Sequence, residues 1–481
     1  MSDRPVIPTN AEIAACACGG HTRAQLLRRA AGAAVPGAGL PAIEPGMPTP
    51  AGTGMSRRSF LSRSAGLGLA VYGASMLGID AFDAGIAAAA EAPDQPVLVT
   101  VFLDGGADSL SMLAPTGEPH AARYAQLRPT LALGVGENGA AELGPAFAED
   151  PSLTWHASLS PLATLHAEGK VSVLPAVGYS GANQSHFTSR HFWEVGATDP
   201  FGRFGWMGRY LDQHGTADNP LQGLSLGYDL SPALATQSVP VAAMSRPEEY
   251  DFWAPGVWGP VETAMLDAIG DLGAPPTNDP GLAQARAAAA ATGRLRDQVA
   301  PLQAGYTTPG GVTYPTGSAF SDRLRSLAAM LGIGLPLRCV AINGAGGYDT
   351  HSNQEDALPQ NLTVTASSLL AFQRDLEARG LDDRVLTLVW SEFGRRPREN
   401  GSGTDHGAAG SAFLIGSAAR GEMIGEFPGI AGSDLDEDDN LRATVDFRGV
   451  YRGLLEQWFG VDAAPIIPNA SQFAAPQLLK P

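Results

Sequence analysis

Five short runs of unbroken apolar and β-branched residues constrain this chain more than any other feature. They are Pro96–Leu103, Lys170–Val177, Arg338–Ile342, Val385–Trp390 and Ala412–Ile415. None has a helical period, and each has the length of a strand. A strand that is apolar at every position must be covered on both faces, which is the habit of parallel sheets flanked by helices. Helical segments fall between the runs. Ser160–Glu168 is one, and Ser321–Leu331, with Leu324, Leu327, Ala328 and Leu331 on one face, is another. The expected fold is therefore α/β: one mostly parallel central sheet, covered by helices on both faces, spanning about residues 95 to 475. With 481 residues, 44% of them hydrophobic, the chain can bury a core of that size.

The formal charge of −18 argues against nucleic acid and anionic membrane surfaces as partners. No basic patch interleaved with aromatic residues appears. The first 92 residues read as targeting sequence. Ser56-Arg57-Arg58-Ser59-Phe60-Leu61 has the form of a twin-arginine export signal, and Ala65–Ile79 follows as a 15-residue apolar segment, short for a membrane span. Alanine-rich sequence through Ala92 suits cleavage by a signal peptidase. Residues 1–54 form a low-complexity Pro/Gly/Ala extension, and Met55 is an alternative start. The twin-arginine translocation machinery is thus an expected partner, and the periplasm or the exterior the expected location. Cys16 and Cys18 make a weak metal hook without a second pair. Cys339 sits in an apolar run, where a thiol is normally inert, so the mature chain holds no internal disulfide.

Chemistry-bearing residues gather in the loops that follow the strands. After the first comes Asp104-Gly-Gly-Ala-Asp108; after the second, a Gly/Asn/Ser loop leads through Ser185 and His186 into a helix. After the third come Asp349 and His351. Glu392, Arg395, Arg396 and the pair Asp405-His406 follow the fourth. In an open α/β sheet, ligands bind outside the carboxyl ends of the strands, so these groups should share one crevice. Asp108, Asp349, His351, Asp405 and His406 are candidate metal ligands, with Asp104, His186 and Glu392 as additional candidates. Mixed carboxylate and imidazole ligands suit Zn, Mn or Fe, and a carboxylate-rich set admits Mg or Ca. Ser185 lies where a helix N-terminus favours an anion, the seat of a nucleophile attacking a phosphate or sulfate ester, although capping the helix is the commoner task of such a serine. Arg395 or Arg396 would offset negative charge in the transition state, or neutralise the carboxylates in a metal-free site.

Elsewhere the chain is plainer. Asp199 to about Pro260, rich in Gly, Pro and Trp, reads as a cover over the end of the sheet, and Ala264–Gln303 as mostly helical. Asp434–Asn440 fails as a calcium loop, with Asp439 where glycine is required and Val445 where the bidentate glutamate belongs. Thr444–Gly460 reads as one amphipathic helix.

Five motifs together carry a family resemblance: FLDGGADSLSML, SHFTSRHFWEVG, GGYDTHSNQ, SEFGRRPRENGSGTDHG and DFRGVYRGLLEQWFG. Spread over about residues 97–460, they resemble the exported bacterial proteins of the DUF1501 family, a branch of the alkaline phosphatase superfamily. The resemblance implies a DUF1501, alkaline phosphatase-like domain over 93–481 after a signal at 55–92. It implies metal-binding Asp and His residues at the sheet's edge, with Ser185 in the nucleophile's place, Asp349 and His351 on one metal, and Asp405-His406 on the other. Two departures stand out. Asp104 stands where the family usually has Arg, and no histidine follows His406, so a single metal, a carboxylate-held metal and a degenerate site are all open. Two function classes follow: an exported metal-dependent hydrolase acting on a small anionic phosphate or sulfate ester, or a non-catalytic protein of the same fold with a binding or assembly role at the cell envelope.

Overall fold

The computed structural model describes residues 71–72, 95–134, 139–216, 219–250, 259–272, 276–279, 282, 286 and 295–481. The elements that position the site are, in chain order, β1 (Val97–Phe102), α1 (Ser160–Ala167), β2 (Val171–Gly178), α2 (His186–Val195), α3 (Trp206–His214), β3 (Gly223–Leu226) and β4 (Val241–Met244). After them come α4 (Ala319–Gly332), β5 (Cys339–Asn343), α5 (Gln354–Arg379), β6 (Val385–Trp390), β7 (Arg395–Glu399), β8 (Thr404–His406), β9 (Gly410–Ile415), β10 (Val445–Asp446) and α6 (Phe447–Gly453). All five runs singled out in the sequence lie in one nine-stranded sheet, ordered β4-β3-β5-β1-β6-β9-β2-β10, with the short strand Val71–Tyr72 beyond β4. The neighbours β3–β4, β3–β5, β1–β5, β1–β6 and β2–β10 pair in parallel, whereas β9 runs antiparallel to both β6 and β2.

Alternation decides which helix each strand residue meets. In β1, Val97, Val99 and Val101 face a core that includes residues of α1, α4 and α5. Leu98 and Phe102 face the other core, with residues of α2, α3 and α6. Side chains two apart share a face of a pleated strand, so a continuous apolar run is what a helix layer on each side demands. The described residues thus form the expected α/β architecture, a mostly parallel sheet flanked by helices.

Three sequence expectations are corrected. The segment from Asp199 onward is more than a cover, because it supplies α3 and the sheet strands β3 and β4. Those strands are four residues each, too short to show a period. The stretch between β6 and β9 is a hairpin of β7 and β8 rather than a loop, with Arg395 opposite His406. The expected helix over 444–460 is split: β10 joins the sheet, the Asp446 side chain caps α6 by accepting from the Arg448 N–H, and the last turn widens to a π-helix over Leu454–Trp458. The Ala-rich segment around Ala287–Ala291, inside the stretch expected to be mostly helical, lies outside the described residues, as does the export signal except for Val71–Tyr72, which pairs with β4.

Candidate metal centre

The site is built at the carboxyl ends of four parallel strands. Asp104 follows β1, His186 lies beyond the end of β2, Asp349 follows β5 and Glu392 follows β6. The loops are locked together by backbone bonds: Tyr348 N–H donates to Asp104 O at 2.8 Å, and Thr404 N–H to Thr350 O at 3.1 Å. Gly105 allows the approach. Its φ is +116°, and a Cβ there would fall 2.3 Å from the Asp349 nitrogen, so no side chain fits.

Three imidazoles surround the Asp349 carboxylate. Their Nε2 atoms lie 3.2 Å (His351), 3.3 Å (His406) and 3.5 Å (His186) from its oxygens. Each ring is turned by an acceptor on its far side. His186 Nδ1 donates to the buried Glu392 carboxylate at 2.7 Å, His351 Nδ1 to Asp405 at 3.1 Å, and His406 Nδ1 to the Gln184 carbonyl at 2.8 Å. A carboxylate or carbonyl can only accept, so each neutral ring carries its proton on Nδ1 and aims a lone pair inward from Nε2. Two of those lone pairs, on His351 and His406, are only 2.9 Å apart. His186 Nε2 is buried without a hydrogen-bond donor of its own.

Acceptors facing acceptors call for a cation. In a tetrahedral zinc site with bonds of 2.0–2.1 Å, neighbouring ligand atoms are about 3.3 Å apart, and the three imidazole-to-Asp349 separations of 3.2–3.5 Å match that value. Ligand atoms of His186, Asp349 and His406 all lie within 4.8 Å of one another. Histidine ligands held from behind by a carboxylate or carbonyl are the usual outer layer of such a centre. The donor set fits a divalent ion, and the half-exposed side chains of Asp349 and His351 leave one side open to a substrate. Without an ion, protons meet part of the demand. Burial would push the His186 imidazole down, but the Asp349 and Glu392 carboxylates beside it outweigh that and raise its pKa to about 9. Partial burial pushes the Asp349 carboxyl up, yet His186, His406 and Arg395 hold it well below the carboxylate range.

The other sequence candidates fall in different places. Asp405 and Glu392 stand behind the rings as acceptors. Glu392 also accepts from the Gly105 and Gly106 N–H groups and from Ser391 Oγ, so both its oxygens are committed. Asp108 is corrected as a ligand. It is fully buried, its oxygens take Arg128 at 2.5 and 2.9 Å, and Ser111 and Gln354 complete its shell. The arginine that claims it is 20 residues away in sequence, without motif or period to mark it. Arg395 is also corrected. Its guanidinium is fully buried against Asp349 and the carbonyls of Gly105, Gly106, Tyr348 and Thr404, so it fixes the carboxylate and is out of reach of a substrate. Arg396 instead reaches the Asp438 carbonyl. Ser185 is exposed at the start of α2, between Gln184 and His186, and its hydroxyl makes no cap bond. Asp104 is crowded by Glu392 and Asp349; desolvation pushes its carboxyl up, with Arg190 opposing.

Sequence reasoning missed three contributors: the Gln184 carbonyl, Asn400, which donates to Asp405 at 2.9 Å, and Phe393, whose ring packs 4.9 Å from His186 and 4.8 Å from His406. Phe393 follows Glu392 directly, so the SEFG motif was the available signal. The carbonyl and the amide act through positions that no pattern encodes.

Part of the chain that holds most of the cluster matches a family model. Residues 284–468 match DUF1501, a family of proteins of unknown function. The DUF1501 match takes in Asp349, His351, Glu392, Arg395, Asp405 and His406, while β1 and α2, with Asp104 and His186, lie ahead of it. No curated protein matches. Among solved structures, the chain is similar to a protein of the alkaline phosphatase superfamily from Vibrio parahaemolyticus at 11% identity and a TM-score of 0.33, covering 79% of this chain and 70% of that one. It is similar to Ps i-CgsB at 10% identity and a TM-score of 0.35, covering 79% and 75%. It is also similar to the PsFucS1 sulfatase from Pseudoalteromonas sp. at 10% identity and 0.32, covering 77% and 70%.

Proposed function

We propose that this protein is an exported metal-dependent hydrolase of phosphate or sulfate esters. One observation carries the reading: three imidazole lone pairs converge on one carboxylate, each ring held from behind by an acceptor. His186, Asp349, His351 and His406 would hold the ion, which supplies Lewis-acid polarisation of an ester oxygen. The chain's own groups do the rest. Arg395 holds Asp349 in place, and Glu392, Asp405 and the Gln184 carbonyl keep each Nε2 deprotonated and aimed. Ser185, unbonded as a cap, presents its hydroxyl from the N-cap position of α2, where the backbone N–H groups favour an anionic ester.

The test is metal analysis of the purified protein with hydrolysis of 4-nitrophenyl phosphate and 4-nitrophenyl sulfate. The wild type should bind a divalent ion, and His186→Ala and His406→Ala should lose both ion and hydrolysis. Absence of bound metal and of hydrolysis in the wild type would overturn the enzyme reading. Metal binding with no hydrolysis, and no effect of Ser185→Ala, would favour the non-catalytic envelope role. Export rests on Arg57-Arg58: replacing both with Lys should leave the precursor in the cytoplasm, and unchanged export would refute the route.

A further inference from the structure

A second cleft opens at the same edge of the sheet. It encloses about 300 Å³ beside the ends of β1, β3, β5 and β6, within the size of a small-ligand site. Phe102 and Trp390 line it, their rings 4.5 Å apart, and Tyr228 stands at the rim, 82% exposed. Two arginines face it, Arg190 and Arg323. Arg190 is paired with the buried Glu194 at 2.8 Å and lies over the Phe102 ring. Arg323, on α4, is different. It is half-buried, its Nε is sealed from solvent, and no atom of its guanidinium has a hydrogen-bond or carboxylate partner among the described residues.

A half-buried guanidinium whose Nε has neither water nor an acceptor is costly, and its donors make a place for an oxyanion. Its surroundings deepen the demand. A second cation, Arg246, lies near enough to disfavour the Arg323 charge, and is itself 3.7 Å from Asp322 and 3.9 Å from Glu248. Of the carboxylates lining the cleft, Glu194 is committed to Arg190, and Asp229 is exposed on the rim loop without a bond to Arg323. Helix α2 borders both the cleft and the metal centre. Arg190 and His186 are four apart on α2, one turn along the same face. Asp104 lies between them and feels Arg190, His186, Glu392 and Asp349 together.

We infer that this cleft is a subsite for a second anionic group of the substrate, a carboxylate, sulfate or phosphate taken by Arg323 while the ester lies at the His/Asp cluster. The substrate class is therefore an ester carrying an additional negative charge beside the scissile group. The inference rests on the hydrolase reading for the ester, but the anion site itself does not.

Calorimetric titration of the full chain with inorganic sulfate and with inorganic phosphate tests the subsite directly. Arg323→Gln should weaken binding about tenfold or more, the loss of a charge-assisted hydrogen bond, while His406→Ala should retain the site. Arg323→Lys, which keeps the charge, should recover part of the affinity. Tyr228→Ala, at an exposed rim position, provides a variant that folds irrespective of α4 packing and should also weaken binding. Kinetics test the substrate class. The ratio of kcat/KM for 2-phosphoglycolate to that for ethyl phosphate should fall about tenfold in Arg323→Gln. Wild type without anion binding, or binding unchanged in both Arg323→Gln and Tyr228→Ala, overturns the subsite. An unchanged kinetic ratio in an active enzyme overturns the substrate class while leaving the hydrolase reading intact. Anion binding that depends on Arg323 in a protein that hydrolyses neither ester removes the hydrolase reading and leaves the subsite.

Discussion

Asp108 and Asp349 both follow central strands, and both contact a fully buried arginine, yet they do opposite things. Asp108 is closed: Arg128, Ser111 and Gln354 meet its oxygens, and it has no exposure to water. Asp349 is half-exposed, and Arg395 takes one oxygen while three imidazole nitrogens crowd the pair. Charge neutrality inside the shell makes the first a joint between segments. Charge left over makes the second a place for a ligand. An aspartate–arginine contact therefore says little about role until the remaining acceptors are counted.

The largest expected effect tests that division. Asp108→Ala leaves Arg128 charged and buried, and should cost about 3–5 kcal/mol in denaturant unfolding. Asp349→Ala should cost only about 1–2 kcal/mol, since Arg395 keeps four carbonyl partners. Equal costs would break the comparison.

The closed side also holds a buried histidine. Burial pulls the His156 imidazole from 6.5 down to about 4. As pH falls below 6.5 the unfolded chain takes this proton first, so stability is lost between pH 6.5 and about 4 and then levels off. The loss is on the order of 3 kcal/mol, and His156→Gln should flatten that part of the stability profile.

On the open side, Glu392→Gln keeps the shape but weakens the hold on His186, and metal affinity should drop about 10- to 100-fold with little change in melting temperature. The smallest effect belongs to Asn400→Ala. Loss of its bond to Asp405 should cost about 1 kcal/mol, seen as a less than tenfold change in metal affinity. An Asn400→Ala effect larger than that of Glu392→Gln would mean that Asp405, not Glu392, is the carboxylate that positions the ligands.

Much of this was legible in the chain itself. The runs at Val97, Val171, Cys339 and Val385 had to be sheet interior, because an apolar residue at every position has no solvent face to offer. The loops after them had to share an edge, because parallel strands end together. That much brought Asp349, His351, Asp405 and His406 into one crevice by sequence alone. Tertiary structure decided what each group became. Arg128 and Arg395 arrive from distant segments and claim Asp108 and Asp349, and contacts 20 and 46 residues apart leave no period in a sequence. The hairpin register set Arg395 against His406, and α4 carried Arg323 to a cleft where no described residue pairs it. Local pattern reports which faces are buried; which charges are answered depends on neighbours that only the packed chain supplies.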